Sequence, residues 1–270
     1  MMSMEKETKA ARPVSSRQGP ASKGSAPIVP SGKSAAAPRT ILDIFRQGGA
    51  MVTEFHRIGD HLNWSADPAG KPTGPRKVLV TSALVGEGKS VVASLLALTS
   101  AIYLNQKTLL LDCDFRRPAV HRLFGETLPG GLADCLSGSA SLDSCLRVTD
   151  TEKLKILTAG AAPGDPTGLL GADRWSDLLA EAAFYFDRIV IDCAPVIPVD
   201  DATIVGRLAD GVLMVVRAGS TQREVAMRAA RIMRDSRLNL LGVVLNNLDD
   251  ALPYYYSQKY YGYHYHQSSR

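Results

Sequence analysis

The chain has 270 residues, 45% hydrophobic and 21% charged, which suits one soluble α/β domain with tails and excludes a disordered polymer. The formal net charge of +4 is uneven: residues 1–40 hold seven Lys or Arg against two Glu, so the body is close to neutral and is not a basic nucleic-acid surface. Four cysteines without metal-ligand spacing argue against a disulfide framework or zinc site, and the longest apolar stretch, residues 91–104, is too short to span a bilayer.

Residues 1–39 are rich in Ala, Ser, Pro, Gly and Lys without hydrophobic period, and read as a disordered basic arm with no signal-peptide core. From Thr40 to Trp64 the apolar spacing predicts one amphipathic helix, closed by a turn-rich linker from Pro68 to Pro75. Strand and helix patterns then alternate. Strands are expected at 78–82, 108–112, 154–157, 188–192, 211–217 and 241–246. Helices are expected at 90–104, 118–124, 132–136, 173–185, 201–208 and 222–236. Runs such as Leu109-Leu110-Leu111 and Ile189-Val190-Ile191 are apolar at every position, as a parallel sheet buried on both faces requires.

The first strand leads into Ala83-Leu84-Val85-Gly86-Glu87-Gly88-Lys89-Ser90 and then a helix. Strand, glycine loop, Lys-Ser and helix make a phosphate-binding loop. Backbone N–H groups and the helix N-terminus face phosphate oxygens, the lysine reaches the β/γ-phosphates, and the serine hydroxyl ligates Mg²⁺. Candidate ligands for ATP are therefore Gly86, Glu87, Gly88, Lys89, Ser90 and Val91. Ala83 stands where the pattern has its first glycine. Two strands end in carboxylates, giving Asp112 with Asp114 two residues on, and Asp192. An apolar run ending in Asp supplies a metal-orienting group, and phosphoryl transfer needs positioned charge more than covalent chemistry. The fold expected is α/β, a P-loop NTPase with a mostly parallel sheet flanked by helices. It comprises the arm (1–39), a helical segment and linker (40–75), the P-loop domain (76–250) and a flexible tyrosine-rich tail (251–270). Cys113 and Cys193 read as core filler, and the five histidines as surface or packing residues.

Taken together, these motifs resemble the bacterial tyrosine kinases (BY-kinases) over about residues 50–265. The loop Ser82-Ala83-Leu84-Val85-Gly86-Glu87-Gly88-Lys89-Ser90 matches S-x-x-P-G-E-G-K-S except at Val85. Leu111-Asp112-Cys113-Asp114-Phe115-Arg116-Arg117-Pro118 matches the family's second motif, and Phe186 to Pro195 with Asp201-Ala202 its third, Ala194 replacing a proline. The resemblance implies an ATP- and Mg²⁺-dependent protein-tyrosine autokinase governing capsular or exopolysaccharide polymerisation and export. Asp112 would accept the tyrosine proton, Ser90, Asp114 and Asp192 would hold Mg²⁺, and Asn246 would read adenine. It also implies homo-oligomers, a separate transmembrane co-polymerase (a chain-length regulator) as activator and a cognate tyrosine phosphatase. The kinase would then be cytoplasmic and peripheral at the inner membrane face. The family's oligomerisation motif E-x-x-R-x-x-R is met by Glu54 and Arg57, but Asp60 reverses the charge of its last position.

Seven of the nine tyrosines, Tyr254, Tyr255, Tyr256, Tyr260, Tyr261, Tyr263 and Tyr265, crowd the last 17 residues with no period that would bury them. Beside an ATP site they are the expected targets of phosphorylation in trans. The rival reading is a partition- or septum-type switch ATPase. That class has an early second lysine in its loop, where this chain has Ser82, Ala83 and Leu84, and has no use for a tyrosine tail.

Overall fold

The computed structural model describes residues 40–127, 130–161, 164, 166–170 and 173–247. The basic arm and all seven tail tyrosines, Tyr254 to Tyr265, lie outside the described residues.

In chain order the elements are α1 (Ile41–Arg46), α2 (Ala50–His61), β1 (Lys77–Ser82), α3 (Lys89–Ile102), β2 (Thr108–Asp112), α4 (Val120–Leu123), α5 (Leu132–Ser137), α6 (Leu142–Cys145), β3 (Arg147–Val148), β4 (Leu154–Leu157), α7 (Pro166–Leu170), α8 (Asp173–Tyr185), β5 (Arg188–Asp192), α9 (Asp201–Gly206), β6 (Gly211–Arg217), α10 (Arg223–Asp235) and β7 (Leu240–Asn246). The strands form one sheet in the order β3-β4-β2-β5-β1-β6-β7, parallel throughout except where β3 meets β4. Alternate residues feed opposite faces. Leu109, Leu111, Ile189 and Ile191 join one buried cluster with the side chains of α8 and α10, while Leu110, Val190, Val78 and Val80 join the other with α3. This is the two-faced burial expected from the uninterrupted apolar runs.

All six expected strands are present within one residue of their anticipated ends. The single helix expected over Thr40–Trp64 is instead two. Gly48 (φ +69°) and Gly49 (φ +90°) break it, because successive residues in the left-handed half of φ space cannot continue a right-handed helix. Thr40 and Asp43 close a capping box on α1. Both short helices pack on α3, which is buried along almost its whole length. Thr99 and Ser94 in α3 turn their hydroxyls onto the carbonyls of Leu95 and Ser90, so polar groups inside this helix are satisfied locally. The helix expected over 118–124 is only Val120–Leu123, and that over 201–208 stops at Gly206. The two-residue strand β3 and the short helices α6 and α7 carry too few residues for a periodic signal.

One buried cation ties the linker to the sheet. Arg188 opens β5 with no exposed surface. Its Nε donates to Gln106 Oε1 at 2.8 Å, Nη1 to the Pro75 carbonyl at 2.8 Å and Nη2 to the Thr73 carbonyl. The guanidinium carbon lies 5.0 Å from the Trp64 ring centre, and Trp64 donates to the same Pro75 carbonyl at 3.0 Å. Burial, with repulsion from Arg76, lowers the Arg188 pKa to about 10, still charged at neutral pH. Replacing Arg188 by Met removes a donor from three acceptors: Gln106 and Pro75 keep weaker partners in Ser100 and Trp64, while the Thr73 carbonyl loses its guanidinium. Urea unfolding of Arg188→Met is expected to show a loss of about 3 kcal/mol with little change in the slope. Arg188→Lys recovers less than half of it, since one ammonium cannot serve a fork of three acceptors.

Candidate active site

Three parallel strands, β2, β5 and β1, stand side by side, and their carboxyl ends converge on one place, where open α/β sheets bind ligands. Register sets the acids: Asp112 at the end of β2 pairs with Asp192 at the end of β5, and Val80 of β1 pairs with Asp192. The loop from β1 into α3 lies over them.

Two glycines shape that loop. Gly86 and Gly88 have φ of +86° and +91°, and a Cβ on Gly88 would come within 2.1 Å of Asn246 Nδ2. Asn246 reaches across from the end of β7 and donates to the Glu87 carbonyl at 2.9 Å. Its amide therefore fixes the loop backbone. Glu87 turns its side chain inward, with only 3% exposed. Its carboxylate accepts the Leu84 N–H at 2.6 Å, the Thr221 hydroxyl and, at 3.5 Å, the Arg217 N–H. A charged acceptor on a backbone donor is among the stronger hydrogen bonds. Glu87 and Asn246, both expected among the nucleotide ligands, thus clamp the loop to β6 and β7, while Gly86, Gly88, Lys89, Ser90 and Val91 line a cavity of about 410 Å³.

Lys89 is 8% exposed, and its ammonium lies 2.7 Å from Asp114 Oδ2, 3.3 Å from Asp192 Oδ1 and 3.2 Å from Ser90 Oγ. Burial opposes its charge, but attraction to Asp192 and Asp114 outweighs it and holds the group above the usual lysine range. Asp192 is fully buried. Burial raises its carboxyl against the pull of Lys89, and its Oδ2 has no hydrogen-bond partner. Asp112 is equally buried. Its Oδ2 accepts the N–H groups of Ala119 and Val120 at 3.0 Å each, and its Oδ1 that of Asp114 at 3.1 Å. Burial first, then repulsion from Asp192, pushes its pKa up to about 7. Asp114 is the carboxylate in the cavity wall, which Arg116, Arg117 and Arg122 also line. Three carboxylates around one ammonium leave a negative excess. With the unpaired Asp192 oxygen, the cavity-lining Ser90 and Asp114, these hard oxygen donors fit a Mg²⁺ ion.

The ion pair of Arg116 and Asp201 escaped the sequence reading, although both residues lie inside motifs. Arg116 binds Asp201 through Nε at 2.8 Å and Nη2 at 3.1 Å, tying the segment after β2 to the start of α9. No local signal announces the pair, because the partners stand 85 positions apart in the chain. Cys113 and Cys193 are wholly buried, as expected of core filler. Among the described residues no cluster of His, Cys, Asp and Glu forms a metal site of its own, and the histidines there show no ligand geometry.

No family model matches the chain. Curated relatives do. It is 34% identical over 171 residues to the tyrosine-protein kinase YwqD of Bacillus subtilis, covering 63% of this chain and 72% of that one. It is 33% identical over 219 residues to the tyrosine-protein kinase CpsD of Streptococcus agalactiae, covering 80% and 92%. Against the tyrosine-protein kinase Wzc of Salmonella typhimurium it is 33% identical over 195 residues, 72% of this chain but only 27% of that longer one. Among solved structures, the kinase domain of the Escherichia coli tyrosine kinase Etk superposes with a TM-score of 0.69 at 26% identity, covering 80% of this chain and 84% of that one. The septum site-determining protein MinD of Pyrococcus horikoshii, with a TM-score of 0.53 at 22% identity over 63% and 71%, shares the fold alone. The glycine loop, the lysine among aspartates and these kinase relatives agree: the chain belongs to the bacterial P-loop tyrosine-protein kinases.

Proposed function

We propose that the chain transfers the γ-phosphoryl group of ATP to the tyrosines of its own C-terminal segment, Tyr254, Tyr255, Tyr256, Tyr260, Tyr261, Tyr263 and Tyr265, in trans, and so regulates capsular or exopolysaccharide polymerisation and export. The observation that carries the reading is Lys89, held between Asp114 and Asp192 at the mouth of a phosphate loop. The backbone donors of Gly86 to Ser90 and the N-terminus of α3 receive the phosphates. Lys89 leaves its carboxylates for the β/γ-phosphates, which carry more charge. Mg²⁺, when bound, neutralises phosphate charge, and Ser90, Asp114 and Asp192 would hold it. The tyrosine oxygen forms the new bond to phosphorus while the bond to the β,γ-bridging oxygen breaks, and the phenolic proton passes to Asp112. A phenol with a reference pKa of about 10 needs such a base, and a carboxyl whose proton affinity is raised by burial suits the task.

No helix among the described residues is long and apolar enough to cross a membrane. Wzc of Salmonella typhimurium runs well beyond the part matched here. A transmembrane co-polymerase, the partner that the family resemblance implies, is the proposed activator, and it would hold this kinase at the inner membrane face. A cognate phosphatase would reset the tail. A homo-oligomer contact through α2 is part of the same reading; Glu54 and Arg57 pair with each other there at 2.6 Å, and Asp60 would seek a cation from the neighbouring copy.

Tandem mass spectrometry after incubation with Mg-ATP tests the reading. Phosphate is expected on the tail tyrosines of the wild type and on none in Lys89→Met, whose turnover falls at least about 10²- to 10³-fold. ATP hydrolysis without phosphotyrosine, even with the partner's cytoplasmic segment present, would instead indicate a switch ATPase. Asp112→Asn is expected to lower kcat by about 10²- to 10⁴-fold with nucleotide binding retained. If Asp114→Asn gives that pattern and Asp112→Asn does not, the base is Asp114. Glu87→Ala unpins Leu84 and Thr221, and is expected to raise the KM for Mg-ATP about tenfold with a smaller effect on kcat.

A further inference from the structure

The outer face of α10 is an arginine surface without an assigned role. Arg223, Met227, Arg231 and Arg234 follow one another at helical spacings of three and four, so they share a stripe, with Arg228 beside it. All are exposed, Met227 by 57%. Among the described residues none of these four guanidinium groups pairs with a carboxylate. An open groove of about 360 Å³ runs between Arg223, Arg228 and Arg231, with Glu224 its one acidic neighbour. The helix carries no lysine. Guanidinium forks bind phosphate bidentately, whereas ammonium groups act as point charges.

Beside this helix lies an apolar strip. In β7, Val243 pairs with Met214 and Leu245 with Val216 of β6. Met214 and Val216 pack with Ala229 and Met233 of α10, so Val243 and Leu245 stand on the face that α10 covers. The helix does not reach over them, and they remain 50% and 55% exposed on the edge strand. Apolar strip and arginine stripe together match one chemistry, an aromatic ring bearing a phosphate.

We propose that this surface docks residues 248–270 of this chain once their tyrosines are phosphorylated, which rests on the tail being the substrate. That segment continues directly from β7. Tyr254 lies eight positions beyond Asn246, a reach of up to about 28 Å, which exceeds the roughly 20 Å length of α10. Without phosphate the segment is nearly neutral, Asp249 and Asp250 balancing Lys259 and Arg270. Each phosphate adds about −1.5 to −2 charges, so docking is switched on by the reaction itself. The product tail is then parked on α10, whose groove shares no lining residue with the catalytic cavity, and the cavity is cleared for the next tail.

The test uses the full chain without ATP and a synthetic peptide of residues 248–270 carrying phosphate at Tyr254, Tyr255, Tyr260 and Tyr261. Fluorescence anisotropy is expected to show salt-sensitive binding of the phosphopeptide, at least about tenfold tighter than the unphosphorylated peptide. The Arg223→Gln/Arg228→Gln/Arg231→Gln variant, its fold checked by circular dichroism, is expected to lose at least about tenfold in affinity. The corresponding triple lysine variant keeps part of it. Equal affinity of wild type and glutamine variant, or of the two peptides, overturns the proposal. So does arginine-dependent capture of phosphatidylserine vesicles in the absence of phosphopeptide binding, which would make α10 a membrane face. Because the phosphates are installed chemically, failure here leaves autophosphorylation untouched, and failure of the mass-spectrometric test leaves this binding measurement interpretable.

Discussion

The ammonium of Lys89 is the interaction on which the site depends. It sits in a nearly dry space at the ends of three parallel strands, with Asp114 and Asp192 within 3.3 Å and Asp112 just behind. Burying carboxylates together is costly: burial raises the proton affinity of Asp112 and Asp192, and their carboxylate neighbours add to it. One lysine offsets only part of that cost. The remainder appears as the unpaired Asp192 oxygen and the raised Asp112 carboxyl. An uncompensated negative site next to a cradle of backbone donors is a physical demand for a polyanion that arrives with a divalent cation. Fold stability and nucleotide affinity are thus coupled through the same few charges.

The surrounding structure holds that arrangement still. The sheet supplies the acids in register, and burial on both faces leaves its strands little freedom to slip. Glu87 and Asn246 clamp the loop from one side, and the Arg116–Asp201 fork fixes the segment after β2 from the other. At the opposite end of the strands, Arg188 and Trp64 secure the linker that carries α1 and α2. Most of these polar ties join residues far apart in the chain and are partly buried, so each gives direction as well as energy. Preorganised charge is what phosphoryl transfer needs, since the protein contributes little covalent chemistry.

The kinases and the septum-type ATPase share this sheet, so the fold does not separate them. What separates them here is local. The loop lacks an early second lysine, and the chain carries a tyrosine cluster that an ATP switch would not use. An arginine helix beside the strand that leads into that cluster would, on the proposals above, give a phosphorylated tail somewhere to go. Substrate, site and product-binding surface would then belong to one short chain.

Much of this was legible in the sequence, because it rests on local physics. Apolar runs such as Leu109-Leu110-Leu111 had to be buried on both faces. The glycine loop before Lys89 and Ser90 could serve little else, and Asp112 and Asp192 declared themselves by ending such runs. Even the break between α1 and α2 was written in Gly48-Gly49, though hydrophobic spacing alone suggested one helix. Other features depended on residues far apart in the chain. Nothing near Glu87 announces that its side chain turns inward to Thr221, nor near Asn246 that its amide holds the loop 159 residues earlier. The depth of Asp112 beneath Asp114, and the meeting of an exposed strip on β7 with the arginines of α10, likewise arise only when the crossovers close. Composition and period fix which segments are strands, helices and phosphate loop. Which side chains then meet is decided by tertiary packing, because burial forces each polar group to take the partner that the sheet order brings near.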